Sequence, residues 1–507
     1  MVLGMQVDIE TLNPILTESA NEADVLNGIF STLIKVNEEM EFEPDLLVQL
    51  PEVSEDGLEY RFELRDDVLF HDGEKLTAED VYFTYQMKIA ENNAVPSRMM
   101  WDKIKEFTVT DPYSFTITLY EPDVTWLEYW AYADASIVPK HLVEEEFLAN
   151  GEELSKGGDF SRNPIGSGPY ELVEWETSDY ILLAAFEDYY RGQPEIGQVV
   201  FKIIPDANTL LAQFETGEID IYDRAQPGQY EALVSLQENG QAIEVYQYPG
   251  FVYMHADFNL RLAKFQDKEV RQALNYAFPQ EEFIATVLGG VGTPAYSDTP
   301  PVSWAYNPDI RQYSYNPDKA EELLEEAGWV RGDDGVREKN GERLAFTITT
   351  IAGNPAYASY QEIAKQEWEA IGAEVELESF DGPMFGDALT SMNFDVIVFA
   401  WSSGFDPDST PIWHSTQIPD EYGTGQNYAG YKNDRVDELL EAGLKISDRQ
   451  ERIEIYHEVQ EILAEELPSL FVYFMNSVVA VPDNLENFRP NPTQANNTWN
   501  MYEWKWN

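Results

Sequence analysis

An α/β fold divided into two or three core-bearing lobes is the architecture this sequence predicts, on three observations. Its 507 residues exceed what one hydrophobic core usually supports. Hydrophobic residues make up 43% of the chain and aromatic residues 13%, a composition that folds and does not stay disordered. Strand-like and helix-like segments mix along the whole length, with no internal repeat and no low-complexity linker.

In chain order, Met1-Val-Leu-Gly-Met-Gln-Val7 reads as a first strand. Arg61 to Phe83 then reads as a strand at 62–64, a tight turn at Asp72-Gly73 and a helix over 78–90 opened by Thr77. Thr77 and Asp80 have the Thr-x-x-acid spacing of a capped helix start, and an apolar run follows. Strands are expected at 114–120 and 198–204. Asn316 can cap a helix over 317–327, Pro317 suits its first turn and Gly328 its exit. A strand at 344–351 and a helix at 360–371 follow. The segment 394–400, Phe-Asp-Val-Ile-Val-Phe-Ala, has the pattern of a buried strand. The last long helix, 450–466, sets Ile455, Val459, Ile462 and Leu463 on one side as a core-facing stripe.

The charge balance is extreme: 93 acidic residues against 32 basic ones, net −61. Such a surface repels nucleic acid and anionic lipid, whose phosphates need Lys and Arg clusters. The acids are spread over the whole length, so they read as an adaptation of the solvated surface. At about 1 M salt the Debye length falls to ~3 Å and self-repulsion largely disappears. A halophilic source is the expectation, with an organism that merely secretes acidic proteins as the alternative. The absence of cysteine excludes disulfides, thiolate nucleophiles and Cys-ligated metals. No run of eighteen apolar residues is present to span a membrane. The opening residues do not form a signal peptide, so a mature form with an export signal removed is expected.

Sequence signatures of hydrolases, zinc peptidases, P-loops and dinucleotide sites are missing. Gly166-Ser167-Gly168 lies between Pro164 and Pro169, so it reads as a turn and not as a nucleophile elbow. That turn is either purely structural or presents backbone N–H groups to a cleft. The five histidines, His71, His141, His255, His414 and His457, have no metal-ligand spacing. His414 either lines a cleft or caps a nearby helix. The segment richest in candidate ligand groups is Trp401-Ser-Ser-Gly-Phe-Asp-Pro-Asp-Ser-Thr-Pro-Ile-Trp-His-Ser415. It follows the buried strand, and ligands of open α/β sheets sit at the carboxyl ends of strands. Trp401 and Trp413 are candidate walls, suited equally to a peptide or a sugar ring. Asp406 and Asp408 offer a counter-charge for a cation leaving water, or stabilise an Asp-Pro turn and cap a helix. Asn427 returns to the same region with a polar side chain.

The wording of several segments, in order, resembles one family. Arg61 to Phe83 is the first. Asn163-Pro-Ile-Gly-Ser-Gly-Pro-Tyr-Glu-Leu-Val-Glu-Trp175 and Tyr189-Tyr-Arg-Gly192 come next, then Thr209 to Asp220, ending Thr-Gly-Glu-Ile-Asp. Phe258-Asn259 with Val270-Arg-Gln-Ala-Leu-Asn-Tyr-Ala277, Tyr315 to Gly328, and Tyr431 to Leu440 complete the set. Together they resemble the peptide/nickel class of extracytoplasmic solute-binding proteins of ABC transporters (family 5), most of all its oligopeptide-binding members. One departure is Phe278-Pro279-Gln280, where the family often has Ile-Asp-Arg.

The resemblance implies a two-lobed periplasmic-binding-protein-like α/β fold, type II in its large three-subdomain form, with hinge crossovers. Lobe one takes 1–33, 164–247 and 477–507; a subdomain inserted in it takes 34–163; lobe two takes 252–470. Hinges fall near 248–251, at Tyr248-Pro249-Gly250, and near 471–476. The implied function is capture of peptides between two closing lobes and delivery to a membrane permease, with no catalysis, no cofactor, no metal and no nucleic-acid partner. In peptide-binding members an Asp in lobe two pairs with the ligand α-ammonium, and its position falls near Ser403 or Gly404. The loop is about one residue shorter than in short-peptide binders, and its wording is closer to members that take longer peptides. The site set is therefore Trp401, Ser403, Gly404, Phe405, Asp406, Asp408, Trp413, His414 and Asn427, with Ser167 from lobe one. The same fold binding an oligosaccharide or a nickel or other metal chelate is the first alternative. A secreted hydrolase using paired carboxylates is the second. A monomer is expected, periplasmic or held at the cell surface as a lipoprotein after signal removal.

Overall fold

The computed structural model describes residues 1–423, 425–493 and 495–507. They form two compact units, Met1–Gln247 with Ser477–Asn507, and Tyr248–Asn476. The chain passes from one unit to the other inside two long strands, Ile243–Phe258 and Ser469–Pro482. Tyr248-Pro249-Gly250, punctuated like a turn in the sequence, is extended strand throughout.

In the first unit, Val2–Met5 lies parallel to both Gln198–Ile203 and Ile221–Tyr222. Antiparallel strands Tyr180–Ala185 and Tyr170–Glu176 extend that sheet. A separate four-stranded sheet runs in the order Glu52–Val53, Glu59–Glu63, Ser114–Leu119, Ile104–Asp111. Phe62 and Phe115 stack across its centre at 4.7 Å. Helix Ala78–Ile89 starts as its sequence predicts: the Asp80 carboxylate accepts from the Thr77 N–H at 2.8 Å and its hydroxyl at 3.0 Å. The other Asp80 oxygen accepts from the Lys140 N–H at 2.9 Å, tying this start to the next helix, Lys140–Ala149.

The Gly166-Ser167-Gly168 turn packs against the end of helix Ala20–Ile29, with the Gly168 N–H donating to the Ile29 carbonyl at 2.8 Å. His71 clamps the turn from the other side. Its Nε2 donates to the Gly168 carbonyl at 3.1 Å and its Nδ1 accepts from the Gly166 N–H at 3.3 Å, which fixes a neutral ring. Burial pushes the His71 pKa down from 6.5 to about 4. The unfolded chain therefore binds the extra proton first. The neutral-ring contribution is complete above pH 6.5, declines as pH falls, and is lost by about pH 4. Over that window it amounts to about 3 kcal/mol. Denaturant titrations from about pH 7.5 to about pH 4 should show wild type losing this stability relative to His71→Asn, which lacks the titrating ring. Parallel pH profiles of the two would refute the assignment.

In the second unit, Ala345–Ile351 is parallel to Glu374–Phe380 and to Val396–Ser402. Val396–Ser402 pairs antiparallel with the 252–258 part of Ile243–Phe258, placing Tyr253 opposite Trp401 and Val252 opposite Ser402. Val396 to Phe399 are all buried, because a core of the unit lies on each face of the strand. One core gathers Met254, Phe258, Ile348, Trp368, Val396 and Val398; a second gathers Ile397, Phe399 and Phe385.

Two element boundaries move from their sequence expectation, and one helix face is more polar than its apolar stripe suggests. The strand expected at 394–400 runs on through Ser402, so Trp401 belongs to the strand and the loop begins at Ser403. The helix expected from 360 begins at Pro355, where the Asn354 side chain accepts from the Ala356 and Tyr357 N–H groups at 3.0 and 3.3 Å. The long helix Arg449–Glu466 buries Tyr456, Val459 and Leu463 but also Arg452 and Gln460, while Ile455 and Ile462 are only half-buried. Its inward face is therefore partly polar, and Arg452 explains why.

Candidate functional site

Strand Val396–Ser402 opens onto a cavity of about 530 Å³ contained in the second unit. Trp401 forms one wall, half-buried, its ring edge-on to Phe399 at 5.9 Å and Tyr428 at 6.3 Å. Ser403 ends the strand by donating both its N–H and its hydroxyl to the Phe251 carbonyl, each at 2.9 Å. The cavity then follows the loop past Gly404, Pro407 and Asp408 to Ile412. Asp298 and Pro300, from a different segment, close the far side.

The two loop carboxylates have separate fates. Asp406 is turned away from the cavity into a bidentate ion pair with Arg452, whose Nη1 and Nη2 donate at 2.7 and 2.6 Å. Both partners are buried, Asp406 at 9% and Arg452 at 6% exposure. Arg452 also donates through Nε to the Gly443 carbonyl at 3.0 Å and lies over Trp304 at 5.2 Å. Asp406 thus anchors the loop to the long helix, and the ligand role expected for it gives way to this structural one. Asp408 lines the cavity, half-buried. Its carboxylate accepts from the Thr410 N–H at 3.0 Å and the Thr410 hydroxyl at 2.5 Å, which starts the short helix Thr410–Trp413. Burial raises the Asp408 pKa, and nearby Asp406 adds to the shift.

The remaining expected residues divide in the same way. Trp401, Ser403 and Gly404 line the cavity; Phe405, Trp413, His414 and Asn427 do not. Trp413 is 1% exposed and donates its ring N–H to Asp298 at 2.6 Å. His414 is a helix cap, its Nδ1 accepting from the Thr416 N–H at 3.2 Å. The fully buried Asn427 amide joins the His414 and Tyr431 carbonyls at 3.1 and 2.9 Å and accepts from the Tyr431 N–H at 2.9 Å. Ser167 is fully buried in the first unit, in the turn that His71 clamps.

Sequence reasoning missed Asp298 and Arg452. Asp298 is 3% exposed, held by Trp413 and by the Thr299 hydroxyl at 3.1 Å, and burial raises its pKa. Nothing in Ser297-Asp-Thr-Pro-Pro301 advertises it. Arg452 did leave a trace: it sits four residues before Tyr456, in phase with the apolar stripe, where a solvated Arg does not belong.

One enzyme-like grouping exists elsewhere in the second unit. His255 Nδ1 faces both Asp257 at 2.8 Å and Ser469 at 3.1 Å, all three buried, while Nε2 is buried without a hydrogen-bond partner among the described residues. Serine and carboxylate meet the same ring nitrogen, so the imidazole cannot pass a proton from one to the other. Among the described residues, no group of three or more His, Asp or Glu side chains is placed to hold a metal ion. Nor is any helix among them long and apolar enough to cross a membrane.

Comparison with known proteins adds a family and several whole-length likenesses. The family model described as "Bacterial extracellular solute-binding proteins, family 5 Middle" matches residues 41–420. The oligopeptide-binding protein AppA of Bacillus subtilis is 31% identical over 510 residues, covering 99% of this chain and 91% of that protein. The solved structure of AppA in complex with a nonapeptide superposes with a TM-score of 0.70 at 30% identity, covering 100% of this chain and 98% of that one. NikZ from Campylobacter jejuni, solved in complex with Ni(L-His), gives a TM-score of 0.72 at 28% identity, with coverage of 100% and 99%.

Proposed function

We infer function from one premise: this chain belongs to the bacterial extracellular solute-binding proteins of family 5. The family binds solutes outside the cytoplasm and is not a catalytic one. On this reading the chain captures oligopeptides and hands them to the permease of an ABC importer, and performs no chemistry on them.

The observation that supports a peptide is the cavity beside Trp401. Among the described residues its lining includes two carboxylates, Asp298 and Asp408, and no Lys, Arg or His. A peptide brings a positive charge to such a site, and a neutral saccharide does not. The proposed ligand-contacting residues are Trp401, Ser403, Gly404, Asp408 and Asp298. Hinge residues are proposed at 248–251 and 471–476, where closing can be driven only by a ligand with differential affinity for the closed state. Surface anchoring as a lipoprotein belongs to the same proposal. The test is mass spectrometry of whatever the purified protein releases on denaturation: oligopeptides support the reading, whereas a saccharide or a nickel chelate would replace it.

The acidic surface adds a second part to the proposal, a habitat of high salt. With a net charge of −61, the folded state is opposed by its own repulsion until salt screens it. The denaturation midpoint should therefore rise steadily as KCl increases from about 0.1 to about 2 M. A flat profile would assign the acidity to something other than salt adaptation.

A further inference from the structure

We propose that the cavity beside Trp401 is a subsite for a basic side chain, so that the preferred cargo is a peptide carrying Lys or Arg. This rests on the oligopeptide reading and goes beyond it.

Three features point to a long cationic side chain. The first is unbalanced charge. Asp406 is neutralised by Arg452, but the donors that hold Asp298 and Asp408 are neutral: Trp413, Thr299 and Ser409 for one, Thr410 for the other. Neither forms a salt bridge among the described residues, and each keeps lone pairs to offer. The second is size. About 530 Å³ falls within the range of cavities that hold whole small molecules, more than an ammonium group needs. The third is the wall chemistry. Pro300, Ala400, Pro407, Pro411 and Ile412 suit an aliphatic stem, and Trp401 offers an aromatic surface to a cation. A neutral side chain would cover the half-buried Asp408 carboxylate without bringing a counter-charge, so the site discriminates as well as attracts.

The proposal carries a pH signature. Burial raises the pKa of both Asp298 and Asp408. A bound cation favours their ionised forms, so affinity for a basic peptide falls as pH drops and the carboxyls take up protons. The charged and titratable neighbours are Tyr253 near Asp298, and Asp406, Arg452 and Tyr456 near Asp408. A neutral peptide should show a much flatter profile.

The test is calorimetry with N-terminally acetylated nonapeptides of Ala, Gly and Ser, in which one Lys is scanned through the positions. Matched peptides carry norleucine, which has the aliphatic stem without the charge, or Glu. At the responsive position, Lys should bind on the order of 10–100-fold tighter than norleucine, with Glu weaker still. Asp298→Asn and Asp408→Asn should each shrink the ratio of Lys to norleucine affinity. The wild-type comparison stands even if a variant folds poorly. Equal affinities for Lys, norleucine and Glu at every position would overturn the proposal. So would binding that requires a free N-terminus whatever the side chains, because the cavity would then hold the terminal ammonium. Failure of every peptide, acetylated or free, would instead remove the oligopeptide reading itself.

Discussion

Arg452→Ala should destabilise the second unit by about 3–5 kcal/mol, because it leaves the Asp406 carboxylate buried and unpaired. Arg452 is 6% exposed and makes contacts that Ala cannot replace, to both Asp406 oxygens, the Gly443 carbonyl, the Tyr456 hydroxyl and the Trp304 ring. Removing both charges is a different matter. Asp406→Asn combined with Arg452→Met keeps volume and deletes the ion pair, and should cost much less than Arg452→Ala. Equilibrium unfolding in urea measures both, and equal losses would show that packing, not charge, holds the loop. Peptide affinity should fall in Arg452→Ala beyond what stability explains, since Asp406 also receives the Asp408 N–H at 3.1 Å and so fixes the cavity wall.

Gly168→Ala should be comparably severe in the first unit, costing at least about 3 kcal/mol. A Cβ at Gly168 would lie 2.5 Å from the Ile29 carbonyl carbon, 2.6 Å from the Gly28 oxygen and 2.6 Å from the Phe30 nitrogen. All three are backbone atoms, so no side chain can swing aside. At Gly166 the added atom would meet the Ile29 oxygen at 2.0 Å. Gly197→Ala is the control, with nothing within 4 Å of its added carbon. Urea midpoints should drop sharply for Gly168→Ala and hardly move for Gly197→Ala. Similar midpoints for the two would contradict the packing described for this turn.

The sequence made some of this readable and hid the rest. Local chemistry was legible: Asn316-Pro317 and Thr77 with Asp80 each placed a helix start where the structure has it. Near-continuous apolar runs located the central strand, though its end was misjudged because Trp401 and Ser402 look like loop residues yet pair with Tyr253 and Val252. The family wording of segments such as 163–175 identified the fold before any distance was known. Side-chain orientation was not legible. Asp406 and Asp408 stand two residues apart, and only the distant Arg452 decides that one turns inward to the helix while the other lines the cavity. Asp298 was invisible for the same reason, being over 100 residues from the loop it faces.

Whether this chain holds an oligopeptide without altering it is decided by a calorimetric titration with a nonapeptide bearing one Lys, followed by mass analysis of the recovered peptide. Binding should be saturable and one-to-one, with the peptide returned at its original mass. Cleaved peptide, or silence toward every peptide alongside saturable binding of an oligosaccharide or nickel chelate, would contradict it.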